Sequence, residues 1–337
     1  MMKRSSVTML HNPVGAPDLS ALGGPRFIVT VDTEEEFDWS APFSRDQHGT
    51  THVAAIPRFQ SLCDEFAVQP CYLVDYPISQ DDNAAELLSG YARTGRAEIG
   101  IQLHPWVSPP FNEAITVNNS FACNLPAELE REKLTKLYLA IVDNMGVRPD
   151  AYRAGRYGAG PSTPSILADL DIAIDSSVRS RFDYSAQGGP DYSEHPTNPY
   201  WLVQNQVLEL PLTTVFAGSL RGAGDVIFGR WFGSDTARSM LARSTMLERI
   251  ALTPEGIPVH KAIEGIDLAL DEGVQILNLS FHSPSLAPGH TPYVRTADQL
   301  EVFYQWWNII FRHLTEKNVR PTTMAEIKSI SRFCRAT

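Results

Sequence analysis

The chain has 337 residues, 43% of them apolar and 20% charged, with a formal net charge of -11. That composition describes an ordinary globular protein with a sizeable core, and its acidity, unrelieved by any basic run, excludes nucleic acid as the primary ligand. No run of about 18 apolar residues occurs, so no membrane span is expected.

Met1 to Gly24 carries Lys3 and Arg4 but lacks the continuous apolar stretch of a signal peptide, because Ser5, Ser6, Thr8, His11, Asn12 and Pro13 interrupt it. It reads as a loosely ordered arm of a cytoplasmic protein. Phe27 to Asp32 is the first strand, Ala54 to Phe66 a helix and Pro70 to Val74 a strand. Ala84 to Ala92 is helical, with Gly95 closing it, and Ala97 to His104 returns as a strand. Pro126 to Met145 has the strongest helix signature. Pro126 suits the first turn, Glu128 and Glu130 the positive amino end, and Leu134, Leu137, Ile141 and Met145 form one stripe before Gly146 and Pro149.

Ala151 to Arg153 is a short strand, Ser165 to Leu170 a short helix and Ile172 to Asp175 another strand. Arg179 to Pro199 is irregular, and Trp201 to Leu210 reads as a hairpin. Ser234 to Arg249 and Val259 to Leu270 are expected as helices, Val274 to His282 as the last strand and Thr296 to Lys317 as the closing helix. The four cysteines, Cys63, Cys71, Cys123 and Cys334, lack paired spacing and are expected reduced.

About seven strands, most followed by a helix, imply a parallel sheet covered by helices. No glycine fingerprint for a dinucleotide follows the first strand, and no phosphate-binding loop with its lysine occurs. The fold class is therefore read as α/β, an irregular (β/α)7 barrel over residues 25–337, with a long loop and hairpin inserted around 179–210.

Polar residues gather at four expected strand ends. Alternation places Asp32 and Glu34 on one side of the first strand, and Gln102 and His104 on one side of the third. Two carboxylates, an amide and an imidazole at one barrel mouth could hold a divalent metal with an open position. Arg153 is placed to hold a carboxylate by a charge-assisted hydrogen bond, and His282 to act as a general acid opposite a base. Trp39, Trp106, Tyr157, Tyr192 and Tyr200 could offer aromatic faces around that mouth.

These motifs in this order resemble the polysaccharide deacetylase superfamily, the NodB-homology domain, and within it the WalW-like subgroup. Asp32-Thr33-Glu34 is similar to an Asp-x-Asp opening motif, Glu98-Ile99-Gly100 with His104 to the histidine motif, and Arg153 to Gly158 to the Arg-x-Pro-x-Gly motif. Leu279 to His282 is similar to the Leu-x-x-His ending. The resemblance implies Asp32 as base, Arg153 as its support, His282 as acid and Asp175 as the group that orients the histidine. It implies a divalent metal, zinc first, on Glu34, Gln102 and His104. Glu34 replaces an Asp, and Gln102 and Trp106 stand where the family has histidines. The reaction implied is hydrolysis of an N- or O-acetyl group on a sugar or sugar precursor of envelope polysaccharides, with an acetylated carbohydrate as partner. A metal-independent amide hydrolase and a non-catalytic glycan-binding protein stay open as alternatives.

Overall fold

The computed structural model describes residues 14–224, 227 and 246–333. Its main sheet contains β1 (Arg26–Thr33), β2 (Cys71–Val74), β3 (Glu98–Leu103), β4 (Ala151–Ala154), β5 (Ile174–Asp175), β6 (Tyr200–Val203), β7 (Val207–Glu209), β10 (Ile276–His282) and β11 (Arg320–Pro321). The order is β10-β1-β2-β3-β4-β5-β7-β6, with β11 beside β1. The seven strands from β10 to β7 are mutually parallel, and only β6 runs antiparallel, as the hairpin partner of β7.

The sheet is curled into an incomplete barrel. Side chains from opposite walls meet inside it: Arg153 of β4 donates to Thr30 Oγ1 of β1 at 2.8 Å, and Asn278 of β10 donates to Ser176 Oγ, just past β5, at 2.9 Å. No strand pairing joins β7 to β10 among the described residues. The gap is spanned instead by the approach to a separate hairpin, β8 (Thr214–Ala217) and β9 (Glu248–Ala251). Thr213 N–H donates to Asn278 O at 3.2 Å, and Ser280 N–H donates to Leu252 O at 3.2 Å. The expected α/β barrel is thus present, as a ring of parallel strands closed by a patch.

Period-two alternation divides the sheet's side chains between two cores. Ile28, Cys71, Leu73, Ala151, Leu208 and Ile276 face inward and pack at the bottom of the barrel. Val29, Val31, Tyr72, Ile99, Tyr152, Leu277 and Phe281 face outward beneath the helices. These are α1 (Ile56–Glu65), α2 (Tyr76–Gln80), α3 (Asp82–Arg93), α4 (Ala127–Met145), α5 (Thr163–Asp169), α6 (Val259–Asp271), α7 (Ala297–Glu316) and α8 (Met324–Phe333). Phe59 of α1 and Trp307 of α7 meet Phe281 edge to face, with ring centroids 4.7 and 5.4 Å away. That contact bolts two helices to the strand that ends in His282.

The carboxyl-terminal helix α8 was not anticipated. Its first backbone N–H groups, from Met324 and Ala325, donate to the Glu98 carboxylate at 2.6 and 2.8 Å, so Glu98 serves as an anchor at a helix start. Of the helix expected over Ser234 to Arg249, residues 234–245 lie outside the described residues. Glu248 and Arg249 are strand, paired with Ala217 and Phe216. Residues 14–24 lie against the sheet edge: Val14 and Gly15 exchange backbone hydrogen bonds with Trp201, and Leu19 and Leu22 are buried. Cys63, Cys71 and Cys123 are free thiols. No helix of the described residues is long and apolar enough to cross a membrane.

Glu130 of α4 offers a test of the packing. It is buried, accepts from Thr163 Oγ1, and burial pushes its carboxyl up to about 7 from the ordinary 4.5. A raised carboxyl binds its proton more tightly folded than unfolded, so ionising it removes stability as pH rises from about 4.5 to about 7. The Glu130→Gln variant escapes this penalty. Its stability relative to wild type is expected to grow by about 3 kcal/mol between pH 4 and pH 8, read from urea unfolding at each pH. A difference independent of pH would show that the carboxyl does not titrate with folding.

Candidate active site

At the carboxyl ends of the parallel strands the inward positions turn from apolar to polar. Asp32 sits level with His282 in the β1–β10 register, and Gln102 level with Arg153 in the β3–β4 register. Glu34 and His104 follow one step beyond their strands. Residues as far apart in sequence as Asp32 and His282 therefore line one cavity of about 460 Å³, within the range of small-molecule sites.

Asp32 is buried, and one of its oxygens accepts from the Arg153 guanidinium. Arg153 is itself fully buried and spends its other donors on Thr30 Oγ1, Ser176 Oγ and Ser176 O at 2.8 to 3.0 Å. A guanidinium fixed on all sides cannot swing away from its carboxylate. The second Asp32 oxygen lies 3.7 Å from His282 Nε2.

His282 is held from the other side. Its Nδ1 contacts Glu255 Oε2 at 2.6 Å and its backbone N–H donates to Glu255 Oε1 at 3.1 Å, while Ser285 Oγ donates to the same carboxylate. Burial alone would lower the imidazole, but the Glu255 charge, with Glu34 behind it, holds it up to about 10. The ring is protonated at neutral pH and presents Nε2–H toward Asp32 and the cavity.

The carboxylate in contact with His282 is Glu255 and not Asp175. Asp175 pairs in register with Tyr152 and Glu209, so its side chain points outward with theirs, to the face opposite Arg153. One Asp175 oxygen accepts from the Ser177 backbone and hydroxyl, and among the described residues no hydrogen bond joins Asp175 to His282. Glu255 lies in the segment after β9, where no sequence pattern marked it.

Glu34, Gln102 and His104 converge. Gln102 Nε2 donates to Glu34 Oε2 at 2.9 Å and faces His104 Nε2 at 3.3 Å, and Glu34 Oε2 lies 3.4 Å from that nitrogen. His104 Nδ1 contacts Glu35 Oε2 at 2.7 Å, and Trp106 Nε1–H donates to Glu35 Oε1 at 2.8 Å while its ring stacks on the imidazole. When ionised, Glu35 holds the His104 proton on Nδ1 and leaves Nε2 as a lone pair aimed at Glu34 and Gln102. Behind it the Asp75 carboxylate accepts from the Glu35 backbone N–H at 2.6 Å. Burial pushes Glu34 up to about 7, Glu35 up to about 8 and Asp75 well above its ordinary value, and lowers His104. Gly155 makes room for this ring: a Cβ there would stand 2.2 Å from His104 Cδ2.

Among the described residues two groups could hold a metal ion, Asp32 with Glu34 and His282, and Glu35 with Asp75 and His104. For the set the sequence points to, Glu34, Gln102 and His104, the deciding residue is Gln102. Its Oε1 is buried without a hydrogen-bond partner, while its Nε2 spans Glu34 and His104. A turn of the amide about its last torsion would give both neighbours an oxygen beside them in place of the nitrogen. The donor set, one carboxylate, one imidazole and one amide oxygen, then fits a divalent cation.

Of the aromatic residues expected at the mouth, Trp39, Trp106 and Tyr157 line the cavity. Tyr192 and Tyr200 do not: both are buried, and their hydroxyls contact Tyr157 O and His195 Nδ1. A neighbouring relay of Glu36, His52 and Ser283, with contacts of 3.0 and 2.7 Å, has the order of a hydrolase triad. Ser283 is fully buried, so it anchors the turn after His282 and meets no substrate.

No protein-family model and no curated protein matches the sequence. Solved structures match in fold. Puue allantoinase is 12% identical with a TM-score of 0.52, over 93% of this chain and 91% of its own. A probable polysaccharide deacetylase from Pseudomonas aeruginosa PAO1 is 12% identical with a TM-score of 0.50, over 92% and 91%. The 4-alpha-glucanotransferase from Thermococcus litoralis is 14% identical with a TM-score of 0.51, over 91% of this chain and 40% of its own. Proteins with three different names share this barrel, so the reaction has to be read from the site.

Proposed function

We propose that this chain is a carbohydrate deacetylase of the polysaccharide deacetylase superfamily, hydrolysing an N- or O-acetyl group from a sugar. One observation carries the reading. Asp32, paired to a buried guanidinium, faces His282, paired to a buried carboxylate, across 3.7 Å at the wall of a cavity. A proton acceptor and a proton donor are held apart by their separate partners, as general acid–base hydrolysis requires.

Asp32 takes a proton from the attacking water as its oxygen bonds to the acyl carbon. His282 gives its Nε2 proton to the leaving nitrogen or oxygen as the acyl bond breaks, so that acetate and the free sugar amine or hydroxyl leave. Trp39 stands with its ring edge-on to His282, centroids 5.1 Å apart, and is exposed enough to stack on a sugar ring. A divalent cation, zinc first, held by Glu34, His104 and the amide oxygen of Gln102 would supply Lewis-acid polarisation of the acyl carbonyl. The finer parts of the reading are a place in the WalW-like subgroup, one catalytic domain over 25–337 and a cytoplasmic sugar precursor as substrate.

The second reading, metal-independent amide hydrolysis, is favoured by the Gln102 amide group that bridges Glu34 and His104. Acetate release from acetylated sugars, with and without chelator, separates the two. On the first reading the purified protein contains about one divalent ion per chain, and chelation lowers acetate release at least ~10-fold, reversibly on adding zinc. Gln102→His is then expected to tighten the metal about ten-fold by competition with a chromogenic chelator. Activity indifferent to chelator would select the second reading, and no release from any acetylated sugar would sink both.

A further inference from the structure

Two arginines on the cavity wall stand without a carboxylate counter-charge among the described residues. Arg156 and Arg179 are half-buried cavity-lining residues, and neither has a carboxylate partner among the described residues. Arg45, Arg153 and Arg181 each lie within 4.0 Å of a carboxylate, from Glu113, Asp32 and Glu272, whereas the buried Arg26, which donates to the Leu22 carbonyl, does not line this cavity. Burying guanidinium charge without an opposite charge is costly, and a site that retains two such groups is built for an anion that arrives.

Both groups are fixed in place. The Arg156 guanidinium lies over the Phe121 ring at 4.0 Å and donates to Gln187 Oε1 at 2.6 Å, to Ser120 Oγ and to Val117 O. That of Arg179 lies over the Phe182 ring at 4.0 Å and 5.5 Å from the Tyr157 ring centroid. Tyr184, another wall residue, stands close enough to act electrostatically on both. The backbone beneath is strained: Arg156 and Tyr157 are consecutive non-glycine residues in the left-handed region, with φ of 56° and 59°. Such strain collects at ligand clamps, because surrounding contacts must maintain it.

We propose that Arg156 and Arg179 form a subsite for a phosphoryl group, so that the substrate is an acetylated sugar phosphate or a sugar carried on a phosphate ester. This rests on the deacetylase reading for the acetyl group, but the anion site stands on its own geometry. Two guanidinium charges match a phosphate dianion better than a single carboxylate, and the planar groups can donate in pairs to its oxygens.

The experiment measures binding before turnover. Inorganic phosphate is titrated into the whole protein by calorimetry, for wild type, Arg156→Gln, Arg179→Gln and the corresponding Lys variants. Binding by wild type, weakened about ten-fold or more by either Gln change and partly recovered by Lys, is the result expected. Since Arg156 also braces its loop, circular dichroism accompanies each variant, and Arg179, whose guanidinium lies against the Phe182 and Tyr157 rings beside Tyr184, supplies the independent arm. No phosphate binding, or binding unchanged in the folded Gln variants, overturns the subsite whatever the acetate assay gives.

Turnover then compares N-acetylglucosamine with its 1-phosphate, its nucleoside-diphosphate form and an acetylated uronic acid. The ratio of kcat/KM for phosphorylated over neutral sugar is expected to exceed about ten in wild type and to fall toward one in the double Gln variant. Preference for the monophosphate or for the diphosphate identifies the source of the phosphoryl group, and either supports the subsite. A preference for the uronic acid over both overturns it. Phosphate binding with no acetate released from any of these leaves the subsite standing and removes the deacetylase reading.

Discussion

Asp32→Asn is expected to lower kcat for acetate release about a thousand-fold, in line with the loss of a general base. The amide keeps the shape and can still accept from Arg153, so the cavity should persist, but it cannot take a proton from water. The change also leaves a fully buried guanidinium without its counter-charge. A stability loss of about 3 kcal/mol is expected alongside. Rates are therefore measured at a temperature where circular dichroism shows the variant folded. Retention of more than about a tenth of wild-type kcat under those conditions would strip Asp32 of its role.

Glu255→Gln has the next largest expected effect, and its signature is a pH profile. His282 acts as an acid only while protonated, and the Glu255 charge is the foremost influence that holds it up to about 10 against the downward pull of burial. Gln retains an oxygen for the His282 N–H and for Ser285, so the turn is kept while the charge is removed. The alkaline limb of kcat should then move down by more than one pH unit, because activity disappears as pH rises through the new value. A limb lowered by two units, to about 8, would cost about 4-fold in kcat at pH 8.5 and nothing at pH 6. An NMR titration of the His282 ring should move with it. An unmoved limb would mean that Glu255 braces the loop and does not set the proton donor.

Much of this site could be read from sequence because a strand end is a local pattern. Alternation places Asp32 inward beside His282, and Gln102 inward beside Arg153, and parallel strands lift them to the same rim. What could not be read depends on parity or on contact across the barrel. Asp175 occupies a two-residue strand, too short for a pattern to reveal which face it takes. Glu255 follows a hairpin whose partner strands are separated by about thirty residues of chain, and nothing local announces that its loop returns to His282. Tyr192 and Tyr200 are rich in π surface but packed inside, and exposure is a tertiary property that composition does not carry.

The patch that closes the barrel between β7 and β10 has a consequence for how such a protein can change. Asp32, Arg153 and His282 all stand on strands of the parallel ring, where a shift would disturb neighbours on both sides. Glu255, the carboxylate on His282, comes instead from the patch, which meets β10 through backbone hydrogen bonds at Thr213 and Leu252 and buries Val215, Ile250 and Leu252 in the core. A change of charge at position 255 alone would retune the working pH of the site and leave the staves of the barrel untouched.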